Sequence, residues 1–139
     1  MFGVDLHTHS FISDGTLSPE QLVQAAVDLK IQTLALTDHD TMDGVARARD
    51  YAQQHDIQII SGAEISSQWS RLSTKKSYGV HIVALNIQEE VPIKVMLENQ
   101  KKVRAERAKL ICELLEKCIG FDIYPDVLAK VVGQADRVT

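Results

Sequence analysis

An α/β fold with parallel strand pairing is what this sequence predicts, and three observations carry that expectation. Strand-like and helix-like patterns alternate strand, helix, strand, helix, strand over residues 2–61. The second and third strand-like runs are mostly apolar, as in strands covered on both faces. The first helix-like run opens on a full set of helix-start signals. This order favours right-handed βαβ units, which pair their strands in parallel.

Residues 2–7 alternate apolar and polar and read as the first strand. Phe11–Leu17 reads as a loop, with Asp14-Gly15 as its turn signal. Ser18-Pro19-Glu20-Gln21 puts Ser at an N-cap, Pro at the first helical position and Gln where a capping box needs it. Leu22, Ala25, Ala26 and Leu29 then share one face and carry the helix to about Lys30. Ile31–Thr37 is the second strand, closed by Asp38-His39-Asp40. Thr41-Met42-Asp43-Gly44 turns into a second helix with Val45, Ala48, Tyr51 and Ala52 apolar. Ile57–Ser61 is the third strand, and Gly62-Ala63-Glu64 comes directly after it.

The polar stretch Ser66–Ser77 reads as a hairpin or an exposed loop, with Trp69 as a cover for the core, and Val80–Leu85 is a fourth strand. Glu89-Glu90-Val91-Pro92 punctuates, and Ile93 to about Ile119 reads as one long helix. Glu98/Lys102 and Glu113/Lys117 are i,i+4 pairs on it. Val103, Leu110, Ile111, Leu114, Leu115 and Cys118 form its apolar stripe. From Lys94 to Lys117 there are seven basic and four acidic residues, which fits a solvated face better than a nucleic-acid surface. Gly120 suits a C-cap, and a short helix is expected over Pro125–Val132.

A chain of 139 residues is of ordinary domain size. Its net charge of −4 gives no support to a generally basic nucleic-acid binder, though a local basic surface is compatible with it. Cys112 and Cys118, six apart in a helix, fall on different faces and read as small core residues in a reducing, cytoplasmic setting. No secretory pattern opens the chain, and no run approaches the ~20 apolar residues of a membrane span.

The chemistry begins in Val4-Asp5-Leu6-His7-Thr8-His9-Ser10. On a strand, His7 and His9 point to the same side and can reach one metal ion. Asp14 offers a hard oxygen ligand from the next loop. His39 and Glu64 lie at the ends of later strands, and His81 sits within the fourth. A lone His in a strand is usually a plain core or surface residue, but ligand-type residues on four elements outweigh that reading. Six mixed nitrogen and oxygen donors are too many for one tetrahedral ion. They suggest two or more, with Glu64 able to bridge. Paired divalent ions typically serve phosphate chemistry.

Four motifs carry a resemblance: Asp5-Leu6-His7-Thr8-His9-Ser10 with Asp14; Thr37-Asp38-His39-Asp40-Thr41; Gly62-Ala63-Glu64-Ile65-Ser66; and His81-Ile82-Val83-Ala84-Leu85. In order and spacing they resemble the PHP family, the polymerase and histidinol phosphatase domain. They are most similar to its small bacterial phosphoesterases acting on nucleoside 3',5'-bisphosphates and RNA 5' ends. The resemblance implies an α/β fold, the first part of a distorted β/α barrel (residues 1–88), followed by an incomplete helical insertion segment (89–139). It implies up to three divalent ions, Mn2+ first, with Zn2+, Fe2+ or Mg2+ as alternatives. By the same analogy His7 and His9 bind one ion, Asp14 and His39 help bind another, Glu64 bridges, and His81 belongs to the bridged pair. A metal-held hydroxide would attack phosphorus in line. Asp38 and Asp40 would orient His39, with N-cap use of Asp40 as an alternative, while Asp5 could be a plain strand-start residue and His55 reads as a surface residue.

The implied partner is a phosphorylated nucleotide or a short RNA or DNA, with no membrane. The later family segments, including a late histidine and an Asp-x-His pair, do not occur here, since the last histidine is His81. A truncated chain with weak metal binding and little or no activity is therefore expected. A non-catalytic metal-binding or interaction module is the competing class. An amidohydrolase-type hydrolase is a third, against which the Thr-Asp-His-Asp-Thr and Gly-x-Glu segments argue.

Overall fold

The computed structural model describes residues 3–71, 76–88 and 91–131. Its elements run β1 (Gly3–Thr8), α1 (Pro19–Asp28), β2 (Ile31–Leu36), α2 (Asp43–Ala52), β3 (Gln58–Arg71), β4 (Lys76–Leu85), α3 (Val91–Ile119) and α4 (Tyr124–Val131). The sheet order is β1-β2-β3-β4, with the first three strands parallel and β4 antiparallel to β3. This is a mixed α/β architecture, a partial barrel wall backed by helices. Phe2 and Val132, at the edges of two expected elements, and the terminal residues 133–139 lie outside the described residues.

The core forms where α1 and α2 cover one face of β2. Val23, Ala26, Leu34, Leu36, Val45, Ala48 and Ala52 make one buried cluster. Full burial of each large member contributes roughly 1.5–3 kcal/mol. On the other face Ala35, and Thr37 just past the strand, are also buried, so the second half of β2 is covered on both sides, while Ile31, Gln32 and Thr33 are only half-buried. Helix α1 starts as its signals predict. The Ser18 side chain accepts from the Gln21 amide, Gln21 returns a bond to the Ser18 backbone, and Pro19 fills the first turn. Its buried face is Pro19, Val23 and Ala26, with Leu22 partly buried. Leu29 is exposed, because the helix ends at Asp28 and Leu29 and Lys30 turn away from the core.

Strand β3 is longer than the expected Ile57–Ser61, and it changes partner midway. Gln58–Ser61 pair in parallel with β2, and Gly62–Arg71 pair antiparallel with β4. Glu64 therefore lies inside a strand rather than after one. The switch falls at Gly62, where a Cβ would meet the Ala84 carbonyl oxygen and the Thr37 methyl, each at 2.8 Å. Only glycine lets both neighbours approach that closely. The polar stretch after Ser66 is a hairpin; its residues 72–75 lie outside the described ones. Trp69 does not cover the core. It is exposed and faces Tyr78 across the ribbon.

Helix α3 buries only Leu97 and Cys112 among the described residues. The expected stripe of Val103, Leu110, Ile111, Leu114 and Leu115 is exposed, and so is Cys118. Burial needs a packing partner, and among the described residues no element lies over that stripe. Both thiols are free. Among the described residues, the ion pairs within α3 include Lys101–Glu98 and Lys109–Glu113, at 3.6 and 3.9 Å. Gly120 closes α3 in the left-handed region, φ 81°, with its amide bonded to the Glu116 carbonyl. No helix among the described residues is long and apolar enough to cross a membrane.

Candidate metal centre

The carboxyl ends of β1 and β2 are locked together by two threonines. The Thr8 amide donates to Thr37 Oγ1, the Thr37 hydroxyl donates to the Thr8 carbonyl, and the Thr8 hydroxyl donates to the Ala35 carbonyl. This pins the backbone on either side of Thr8, and so aims His7 and His9. Their Nε2 atoms lie 3.0 Å apart. His39 extends the alignment beyond β2 through a parallel bridge to Glu64. The Glu64 amide donates to the Asp38 carbonyl, and the Asp40 amide donates to the Glu64 carbonyl.

All six sequence-predicted side chains meet at one place. Glu64 is the hub. Its Oε2 lies 2.8 Å from His7 Nε2 and 2.9 Å from His9 Nε2, and its Oε1 lies 2.9 Å from His81 Nδ1. Asp14 Oδ1 is 3.2 Å from His9 Nδ1, and its Oδ2 is 3.5 Å from His39 Nε2. Ligand-type atoms of His7, His9 and Glu64, of His9, Asp14 and His39, and of His39, Glu64 and His81 lie within 4.8 Å of one another in each triad. Glu64, His39 and His9 form the covered floor; His7, His81 and Asp14 form an open rim. His55 lies apart, against Tyr51 at 5.2 Å between ring centroids. Asp5 accepts a bond from the His7 amide.

Burial pushes the Glu64 carboxyl up, but hydrogen bonds from His7 and His81 and the nearby His39 outweigh it, leaving it below the usual value. Burial likewise lowers His39, against the pull of Glu64 and Asp14. Both directions favour an ionised Glu64 beside a neutral His39, the states in which these two groups bind metal. His39 Nδ1 is buried with no hydrogen-bond partner. Two imidazole nitrogens converging on one carboxylate oxygen, with a third buried and unsatisfied, fit divalent cations of borderline hardness.

Asp38 and Asp40 do different work from the orienting of His39. Asp38 is buried and accepts three bonds at 2.7 Å, from the Ser10 amide, the Ser10 hydroxyl and the Ser13 hydroxyl. It thereby anchors the loop that carries His9 and Asp14. Burial pushes its carboxyl up despite those bonds. Asp40, at φ 52°, accepts from the Ser66 amide at 2.7 Å and from Arg104 Nε at 2.6 Å. It caps no helix, since Met42 holds that position without a side-chain bond. The sequence reading gave Ser10, Ser13, Ser66 and Arg104 no role, though Ser10 and Ser66 stand within the quoted motifs. The first two adjoin the His-x-His motif, which is a usable signal; Arg104 is one of seven cations on its helix and has none.

The model of the PHP domain family matches residues 5–123. The chain is 39% identical over 134 residues to a 5'-3' exoribonuclease of Haemophilus influenzae, covering 96% of this chain and 47% of that protein. It is 37% identical over 117 residues to a 3',5'-nucleoside bisphosphate phosphatase of Chromobacterium violaceum, covering 84% and 39%. Among solved structures, a presumed metal-dependent phosphoesterase of Bifidobacterium adolescentis superposes with a TM-score of 0.79 at 29% identity, covering 99% of this chain and 46% of that one. The chain thus spans about half the length of the relatives it matches. With the motifs, the partial barrel wall and the converging cluster in agreement, the chain belongs to the PHP domain family.

Proposed function

We propose that this site serves metal-dependent hydrolysis of phosphate esters, on a nucleoside 3',5'-bisphosphate or the 5' end of an RNA. The observation that carries it is the convergence of six nitrogen and oxygen donors from four segments into three overlapping triads. The names and similarity of the relatives support the substrate class. Divalent ions, Mn2+ first and Zn2+, Fe2+ or Mg2+ as alternatives, would be held by His7, His9, Asp14, His39, Glu64 and His81. When bound, such ions neutralise phosphate charge and make a water acidic enough to attack.

The residues of the chain do the rest. Glu64 holds three imidazoles in register before any ion arrives. Accepting from the ring N–H groups of His7 and His81, its carboxylate keeps gathered the nitrogens that would bind an ion, and binding would release their protons. Asp38 holds the Asp14 loop through Ser10 and Ser13, and the threonine lock keeps His7 and His9 on one side. The open rim leaves room for a phosphate to enter from solvent. On the same reading, residues 1–88 are barrel wall and 89–139 an inserted helical segment, in a cytoplasmic protein whose two thiols stay free.

The test uses the protein as its gene encodes it. Release of phosphate from adenosine 3',5'-bisphosphate and of mononucleotide from a 5'-phosphorylated RNA is followed with each metal. His7→Ala and Glu64→Ala should each abolish turnover and lower the bound-metal content. Turnover that survives both changes would remove metal catalysis at this site.

A further inference from the structure

The outer half of the β3–β4 hairpin lies beyond the cluster and takes no part in it. Trp69 and Tyr78 face each other across the ribbon, 5.8 Å between ring centroids and 32° between planes. They are 55% and 48% exposed, an unusual place for the chain's one tryptophan. Arg71 and Lys76, the next pair on the same face, are also exposed. On the same face Ser67 interrupts the apolar run on β3, while on β4 exposed Val80 and Ile82 continue it from Tyr78 toward the cluster end of the ribbon.

The charge pattern is as telling. In a chain of net charge −4, no Asp or Glu occurs between Glu64 and Glu89, and the Lys and Arg residues of that interval are Arg71, Lys75 and Lys76. An exposed aromatic pair beside cations, in the acid-free outer half of a hairpin of an acidic protein, matches the chemistry that holds single-stranded nucleic acid. Flat rings stack bases of any identity, and cations track the phosphates.

We propose that this half of the hairpin is a platform for single-stranded RNA, with Trp69 and Tyr78 stacking bases and Arg71 and Lys76 meeting phosphates. The choice of RNA rests on the function proposed above. Trp69 is five residues along β3 from Glu64, so roughly 17 Å at ~3.4 Å per residue. A 5' end at the cluster therefore leaves its downstream nucleotides within reach of the pair. Trp69 and Tyr78 lie on the face opposite Glu64 and His81, so the strand passes around the narrow, twisted ribbon to reach them. The platform would hold a chain of several nucleotides and be idle for a mononucleotide, which separates longer substrates from short ones.

The probe is a 5'-phosphorylated octa-adenylate, titrated in EDTA so that no turnover occurs. Fluorescence that depends on Trp69, the one tryptophan of residues 1–139, should be quenched to saturation and lost in Trp69→Phe, and binding should weaken as salt rises. By anisotropy of a 3'-labelled octamer, Trp69→Ala and Tyr78→Ala should each lower affinity about tenfold. Arg71→Gln with Lys76→Gln should flatten the salt dependence. Hydrolysis of adenosine 3',5'-bisphosphate should be unchanged in all of these variants. Full octamer affinity in Trp69→Ala and Tyr78→Ala, or equal binding of a duplex of the same length, overturns the platform. Concentration-dependent Trp69 fluorescence without RNA, a sign of self-association through this face, also overturns it. Binding without turnover of either substrate under any metal would sink the hydrolytic reading and leave the platform standing; turnover without octamer binding would do the reverse.

Discussion

Arg104 on α3 donates through Nε to Oδ2 of Asp40 at 2.6 Å, and Asp40 is 1% exposed. The same guanidinium donates through Nη2 to the Ser66 hydroxyl at 2.6 Å, and Gln100 donates to the Ser66 carbonyl. Asp40 is next to His39, and Ser66 is two residues past Glu64. One arginine thus ties the long helix to both floor segments of the cluster. Burial pushes the Asp40 carboxyl up, but the Ser66 bonds and Arg104 outweigh it and hold it below its ordinary value.

Removing that arginine leaves a buried carboxylate without its cation. Arg104→Ala should therefore cost about 3 kcal/mol of stability. Arg104→Lys should restore part of it, because a point charge cannot serve Asp40 and Ser66 together. Urea unfolding of the three proteins checks this. A midpoint for Arg104→Ala equal to the parent's would show that the helix is not tied to the floor.

Asp38 gives the second prediction. Asp38→Ala strands one amide and two hydroxyls in a buried setting, and should cost about 3 kcal/mol. Asp38→Asn should be milder. The fold raises the Asp38 pKa because burial penalises its charge, and the amide carries none. Guanidinium titrations that rank Asn as no better than Ala would contradict this.

The loop between them yields a third. A Cβ on Gly15 would collide with the His9 carbonyl group and stand 2.9 Å from the Ser10 carbonyl carbon, all backbone atoms. Gly15→Ala must push the loop outward, at about 2 kcal/mol, and carry Asp14 with it. Calorimetric titration with Mn2+ should show weaker binding than in the parent. Unaltered binding together with unaltered stability would mean that the loop yields freely.

On the outer face, Arg47 donates through Nε and Nη2 to Glu20 at 2.8 and 2.9 Å, joining α1 to α2. Chiefly that bond pulls the Glu20 carboxyl from 4.5 down to about 2. A pKa lowered by folding means the pair contributes stability above pH 4.5 that is lost as the pH falls toward 2. Both side chains are largely solvated, so the contribution is below about 1 kcal/mol. Glu20→Gln should be slightly less stable than the parent at pH 6, and the gap should close by pH 2. A gap that persists at pH 2 would point to lost packing instead.

Much of the scaffold is legible in residue types and their periods. The capping box at Ser18, the mostly apolar run Ile31–Leu36 and the left-handed Gly120 are local matters, decided within a few residues. So is the aim of His7 and His9 to one side, since alternation along an extended chain requires no distant partner. The misjudged residues are those whose state depends on something far along the chain. Leu29 and Cys118 sit in helical patterns that suggest burial, yet nothing in a period says what packs there. Trp69 is the largest side chain of a polar stretch, and its place was settled by the long antiparallel pairing of β3 with β4.

The sequence by itself determined which side chains are fit for metal chemistry, and on which kinds of element they ride. That they meet is a tertiary fact. Parallel pairing sets the ends of β1 and β2 side by side, the bridge from His39 to Glu64 carries that alignment onward, and β3 turning to a new partner at Gly62 brings in His81. The supports of the site were decided the same way. Ser10 and Ser13 bond to Asp38, and Arg104 to Asp40, across 28, 25 and 64 residues. A hydrogen bond between distant residues leaves no period in either segment. It exists only once the sheet and helices have brought donor and acceptor within about 3 Å, where burial makes each unmade bond costly.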